Sequence, residues 1–564
     1  MTRDGRDAGA AESAAEFATG RHRKLRAPRE DRGVLIDPAW GALPKIVARN
    51  VSSRGDWSFE AAGESIATFA ASARAEFVAE ALAYTQTYRN VRVEAPLPAD
   101  FRLPLLLAGH QPELFHPGVL AKNFALSGLA SATGATAVNL VIDGDTLKAA
   151  SLRVPTGSAE MPSVESVPFD APSDEIPYEE RRIADAGLFA SFGRRAADTL
   201  RPLMTGSLLE SFWPEVVRQS QEAGMIGSAV ARARHILEGA WGLQTLELPQ
   251  SRLCDSTHFR RFAGHLLRDL PRFTAAHNSE LVAYRRRENI RSANHPVPEL
   301  AQAGDWLEAP FWLWTADEPR RRHVFARRVG GEIELTDRRA TTLRLPLADD
   351  RHDDFAAALG EAARRGIRLR SRALLTTMYA RLVLGDLFIH GIGGGKYDEL
   401  TDAIVRRFFG VVPPEFAVVT ATRRLPIAAG AEHSSDSGPA VDEPAARHHL
   451  WELRHHPERF VDVAALPDEA ARAEATAAIA EKVRWMATEP SQETARIRCH
   501  AIRAANEALQ PLLADERARW ANIQSASRDH ARADELLGSR EFSAFLFPEN
   551  DLREFLLAIT GQER

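Results

Sequence analysis

The segment that most constrains this chain lies between Leu103 and Asp145. Residues 103–108 form a short, continuous apolar run, the pattern of a strand buried on both faces. A polar loop follows over residues 109–118, punctuated by Gly109, Pro112, Pro117 and Gly118. Residues 119–132 carry helical periodicity, and Gly134 is placed to end that helix. Residues 137–142 make a second buried strand, running into Asp143-Gly144-Asp145. Two buried strands joined by a helix form a βαβ unit, so a right-handed crossover in a parallel sheet is expected. The fold class is α/β.

A second strand–loop–helix unit occurs much later. Residues 372–384 read as helix, 387–389 as a short strand, and HGIGGGKYDELTDAIVRRFFG as a glycine loop opening a helix. This unit is expected to join the same sheet. Upstream, residues 56–88 look helical, with Phe59, Ile66, Phe69, Phe77 and Leu82 at roughly helical spacing. Between the two units, residues 155–300 read as a mostly helical insertion. Residues 323–329 and 332–336 flank Gly330-Gly331 as a β-hairpin. Residues 342–346 read as a strand, and residues 353–365 as an amphipathic helix closed by Gly366.

The expected organisation is a disordered tail over 1–30, N-terminal helices and the first half of the sheet over 31–154, the insertion over 155–300, and the hairpin and second half over 301–427. A Gly/Pro/Ser-rich linker follows over 428–446. Residues 447–537 read as a long antiparallel helical pair, divided at Pro490 and kinked at Pro511. Residues 538–564 are aromatic-rich and are expected to dock on the main body.

Composition narrows the function. The 71 basic and 77 acidic residues give a net charge of −6, against the basic footprint of a general nucleic-acid binder. No stretch of about 20 apolar residues exists to span a membrane, and the N-terminus has no apolar core of a signal peptide. Two cysteines, Cys254 and Cys499, exclude a disulfide scaffold. A cytoplasmic location follows by elimination.

The candidate site is read from strand ends, where open α/β sheets bind ligands. In the first loop, His110 and His116 suit an anion or acid/base work, with Gln111 and Glu113 beside them and Lys122 on the following helix as substrate contacts. The helix start near Gly118 offers free N–H groups to an anion. Asp143 and Asp145, separated by Gly144, are expected to face one crevice and to hold an amine or hydroxyls. In the second loop, Gly391, Gly393, Gly394 and Gly395 permit close approach to a ligand, with Lys396 as counter-charge. It is not a Walker A loop, because His390 stands where the first glycine is needed and Tyr397 where Ser or Thr is needed. Tyr397 and Asp398 are further candidates, although Asp398 also suits a helix start. Glu308 and Trp312, in an aromatic cluster, could contact a polar ligand. No metal ligands are assigned. His448-His449 and His455-His456 read as a solvated helical face, and Cys254, near His258, as a buried structural thiol.

These residues resemble a family, the cysteine-adding enzyme (cysteine ligase) of bacillithiol biosynthesis. Its GQQxGLFxGP loop corresponds to Gly109-His110-Gln111-Pro112-Glu113-Leu114-Phe115-His116-Pro117-Gly118. Its EDHD run corresponds to Ile142-Asp143-Gly144-Asp145, and its GGPGEIAYW stretch to the residues from Gly391 to Tyr397. Phe408-Phe409-Gly410 and Val412-Pro413-Pro414 follow much as in the family. His110 replaces the first Gln of the loop, and Gly144 stands near the missing His. The resemblance implies a Rossmann-like core with helical insertions, a C-terminal coiled coil used for homodimerisation, and a nucleotide near that coiled coil. ATP or ADP with Mg²⁺ is the candidate cofactor. The leading expectation is an enzyme that joins or transfers a small amine- or carboxylate-bearing metabolite. The alternatives are a class-I-like nucleotidyltransferase, for which the expected HxGH is absent, and a non-catalytic scaffold with a degenerate Rossmann core.

Overall fold

The computed structural model describes residues 25–91, 103–348, 351–427, 443–489 and 491–560. Most of the expected tail (1–24) and linker (428–442), and Pro490, lie outside the described residues. Six described strands make the main sheet: β1 (Val34–Asp37), β2 (Leu105–His110), β3 (Thr136–Val141), β4 (Leu246–Pro249), β5 (Leu387–His390) and β6 (Ala417–Ala421). Their spatial order is β1-β6-β5-β2-β3-β4. All neighbours are parallel except the edge strand β1, which runs antiparallel to β6. The two units expected to share a sheet do so, with Leu387 opposite Leu106 and Ile389 opposite Ala108.

Alternate residues of β2 enter different cores, which is why its apolar run is continuous. Leu106 and Ala108 face the core that holds Leu120, Phe124 and Leu126 of helix α2 (Pro117–Thr133). Leu105 and Leu107 face the opposite core. There they meet Phe69 and Phe77 of the long helix α1 (Ile66–Gln86), and Leu400 and Ile404 of the helix α4 (Ile392–Phe409). The helix α3 (Ile226–Ala240) covers the same face as α2. Gly134 adopts φ +65° and ends α2 as its spacing predicts.

The chain leaves β2 through α2 to β3 on one side, and leaves β5 through α4 to β6 on the other. Right-handed crossovers running in opposite directions put the two helices on opposite faces. The winding therefore reverses between β2 and β5, the position at which open sheets bind ligands.

Several elements differ from the sequence reading. The stretch 56–88 is not one helix: a small hairpin pairs Glu60–Ala61 with Glu64–Ser65, and the helix begins only at Ile66, capped by the Ser65 hydroxyl. Residues 155–300 contribute β4 to the main sheet as well as helices; its four residues sit in a mixed polar context that hides the strand. β1 and β6 were not read from sequence. The glycine loop is largely helix, because α4 starts at Ile392 and takes in Gly393, Gly394 and Gly395, with only Gly391 outside as its N-cap.

A second, antiparallel sheet orders Thr342–Pro346, Glu332–Thr336, Arg322–Val329, Trp306–Thr315 and Ile367–Ser371. The hairpin around Gly330-Gly331 is present, with φ +62° at Gly330. The C-terminal region forms four described helices rather than one pair: Glu443–His455, Glu469–Ala487, Ala495–Leu509 and Ala514–Leu537. The first packs against the fourth and the second against the third. Pro511 lies in the 3-10 turn between the last two. Phe542, Phe545 and Phe547 of the final segment are buried against Phe212 and neighbouring residues. Among the described residues, no helix is long and apolar enough to cross a membrane.

Candidate functional site

The carboxyl ends of β2 and β5 each carry a buried histidine, His110 and His390. Strand alternation sends them to opposite faces: His110 toward α2 and α3, His390 toward α4.

His390 is held by α4. Its Nε2 lies 2.6 Å from Asp398 Oδ2, on the second turn of that helix. Asp398 also accepts from the Thr377 hydroxyl at 2.7 Å and pairs with Arg381 at 3.0 Å. Burial opposes a charge on Asp398, but His390 and Arg381 outweigh it and hold the carboxyl far below its ordinary range. Burial also lowers His390, against the pull of Asp398. At neutral pH the pair is therefore a carboxylate and a neutral imidazole whose Nε2–H is donated. Gly394 lies against the other ring nitrogen: a Cβ there would stand 2.8 Å from Nδ1. A Cβ on Gly395 would stand 2.6 Å from Val418 Cγ2. These two glycines let the helix start close against the strand end. Gly391 and Gly393 face open space.

His110 enters a different network. Its Nδ1 lies 3.0 Å from the Gln111 carbonyl, and its Nε2 3.2 Å from Asn123 Oδ1. Asn139 Nδ2 stands 3.2 Å from the same Nε2. Asn139 also donates to Glu247 at 2.8 Å, and Asn123 donates to Glu238 at 2.6 Å. Arg234 bridges Glu238 and Glu247. Burial, then the charges of Arg234 and Lys122, push His110 well below its ordinary value. This His is a buried neutral member of a polar network. His235, Glu238 and Glu247 place ligand atoms within 4.8 Å of one another, as a metal would require. The Arg234 guanidinium already serves both carboxylates, however, and His235 is occupied by Tyr88 and Thr245.

His116 is the N-cap of α2, its Nδ1 accepting from Gly118 N at 3.1 Å. Its outer nitrogen lies 3.8 Å from Glu541. The two histidines of the first loop are thus not brought together. Gly118 is required there, since a Cβ would meet the Ala421 carbonyl at 2.4 Å. Lys122 reaches back from α2 and donates to the Gly109 carbonyl at 2.9 Å.

The acidic pair also divides. Asp143 is buried and accepts from Ser251 N at 2.8 Å and Ser251 Oγ at 2.5 Å. Burial, then the nearby Glu179, raise its pKa to about 7. Glu179 is itself paired with Arg370, which also reaches Asp255. Asp145 is half-buried and turns outward, joined by Gln111 at 3.0 Å and Arg321 at 2.8 Å. The expectation that both aspartates share one crevice is corrected: the reversal at Gly144 sends one inward to the strand-end cap and the other to the surface.

Arg321 links Asp145 to the second sheet. Trp312 is flanked by Arg321 at 5.0 Å and Arg372 at 4.5 Å. Glu308 accepts from Arg372 at 2.6 Å and contacts His323 at 2.5 Å. Against the cost of burial, these partners lower its pKa. Glu113 accepts from the Tyr178 hydroxyl at 2.9 Å. Lys396 is exposed, away from the buried His390, and Tyr397 packs toward His295. Cys254 is buried, its thiol pushed up to about 11 by burial, and His258 pairs with Glu76 instead. His448, His449 and His456 each lie near a glutamate, and His455 lies against Trp451.

In the sequence, His390 stands out only as a departure from a phosphate-loop pattern. The signal was present: a histidine ending a strand, a glycine turn, and an acid eight residues on, which a helix start brings back over the strand end. Arg381, Arg234 and Glu247 carried no local signal. No family model and no curated protein matches this chain.

Proposed function

We propose that the protein is an enzyme with a Rossmann-like core, similar in kind to a cysteine ligase, that joins or transfers a small amine- or carboxylate-bearing metabolite. The carrying observation is the His390–Asp398 pair at the point where β2 and β5 diverge. A neutral imidazole fixed by a carboxylate is a means of accepting a proton from an amine nucleophile. The start of α4, where Gly391 and Gly393 face open space, favours an anionic group beside it. ATP or ADP would bring such a group, and its phosphate would leave the amine and carboxylate to be positioned by this chain's own residues. In this reading Gln111, Asp145, Arg321 and Trp312 form the outer wall. The four C-terminal helices serve as a coiled-coil dimer contact, and the protein works in the cytoplasm.

Isothermal titration of the purified chain with ATP, ADP and a set of amino acids tests this reading. Binding of at least one is expected, and binding of none sinks it. A scaffold reading has one observation in its favour, the exposed apolar side chains Val483, Met486 and Ile497 on the C-terminal helices. It wins if deletion of residues 443–537 abolishes in-cell function while His390→Gln and Asp398→Asn leave it intact.

A further inference from the structure

Lysine is rare in this chain: of 71 basic residues, six are lysines. Arginine supplies nearly every positive charge. Lys122 is one of the six, and it is only 5% exposed, on the second turn of α2. Its ammonium has three donors, of which one is used, on the Gly109 carbonyl. Among the described residues no carboxylate lies within ion-pair distance of it.

The charged groups around it are of its own sign or already engaged. His110 faces it from β2 and Arg234 from α3, His116 stands at the cap of its own helix, and His390, at the end of β5, turns to the opposite face of the sheet. Glu238 and Glu247 are held by Arg234, Asp398 by His390 and Arg381, and Glu541 lies beside His116. Burial, then Arg234, lowers the Lys122 pKa to about 8. A buried charge without a partner is costly, and either loss of its proton or arrival of an anion relieves it.

We infer that Lys122 anchors an oxyanion, the carboxylate or phosphoryl group of the small molecule bound where β2 and β5 diverge. This rests on the enzyme reading above and names the chemical class that the site takes. A compact ammonium on a flexible stem suits a single oxygen in a confined place, where a planar guanidinium would not fit as readily. No bond is made or broken. The anion stabilises the protonated amine, so binding above pH 8 draws a proton from solution.

The test is calorimetric titration of the full chain with malonate and with ADP, at pH 7.0 and 8.5, each in two buffers of different ionisation enthalpy. About half a proton or more is expected to be taken up per ligand at pH 8.5, and far less at pH 7.0. Lys122→Met is expected to weaken binding at least tenfold and to remove the uptake. Response to malonate alone identifies a carboxylate, and response to ADP alone a phosphoryl group. Proton uptake by the wild-type chain stands as evidence even if the variant folds poorly. Binding without uptake at pH 8.5, or undiminished in Lys122→Met, overturns the role of Lys122 and leaves the enzyme reading standing. No binding of either ligand overturns the inference; binding of neither these nor any ATP or amino acid overturns both.

Discussion

His390 at the end of one central strand and Asp398 on the second turn of the next helix lie 2.6 Å apart, buried and hydrogen-bonded. The contact closes a strand–turn–helix unit on itself. It also fixes which ring nitrogen of His390 is the acceptor.

Asp398 has more than one dependent. Asp398→Asn leaves His390 without its carboxylate and Arg381 with Asp402 alone. Removing one partner of a buried ion pair costs about 3–5 kcal/mol. Urea denaturation is expected to show a loss of that size, with the variant still folded at low denaturant. A loss under about 1 kcal/mol would mean the pair is not closed in solution.

The four glycines of the second turn should behave differently. Gly394→Ala drives a methyl against the His390 ring and Gly395→Ala against Val418, both buried and packed. Each is expected to destabilise by about 1–3 kcal/mol. Gly393→Ala meets open space inside a helix and should stabilise by about 0.5–1 kcal/mol. Thermal melting of the three variants reads the contrast; equal shifts would contradict the packing of α4 on its strand.

Asp143 gives a pH signature. Its folded pKa of about 7 lies above the unfolded value of about 3.9. The folded state therefore binds the proton more tightly. The stability it contributes is complete below about pH 4 and is lost as pH rises toward 7. The difference in unfolding free energy between wild type and Asp143→Asn is expected to fall by about 2–4 kcal/mol between pH 4 and pH 7. A difference constant with pH would place Asp143 in water rather than under Ser251 and Glu179.

How far this could be read from sequence depends on how local each signal is. The unit from Leu105 to Val141 was legible because two buried strands and a helix ended by Gly134 follow one another directly. β4 and β6 were not, since strands of four or five residues gain their identity from neighbours far along the chain. The first loop's polar residues stand out in the sequence, yet their company was not foreseeable. His110 meets Asn139 and the Arg234 network, His116 caps a helix, and Asp143 and Asp145 part at Gly144. The glycines around Gly394 read as a ligand loop; Gly394 and Gly395 lie in a helix pressed against His390 and Val418, while Gly391 and Gly393 face open space. Arg321 and Arg372 reach Trp312 because they flank the two strands that pair with its own.

Hydrogen–deuterium exchange of the intact chain, with and without ligands from the ATP, ADP and amino-acid set, shows whether a small molecule binds where β2 and β5 diverge. Slowed exchange is expected in the segments 105–123 and 387–398, which meet where the sheet reverses its winding. Protection confined to the C-terminal helices, or none anywhere with saturating ligand, would contradict it.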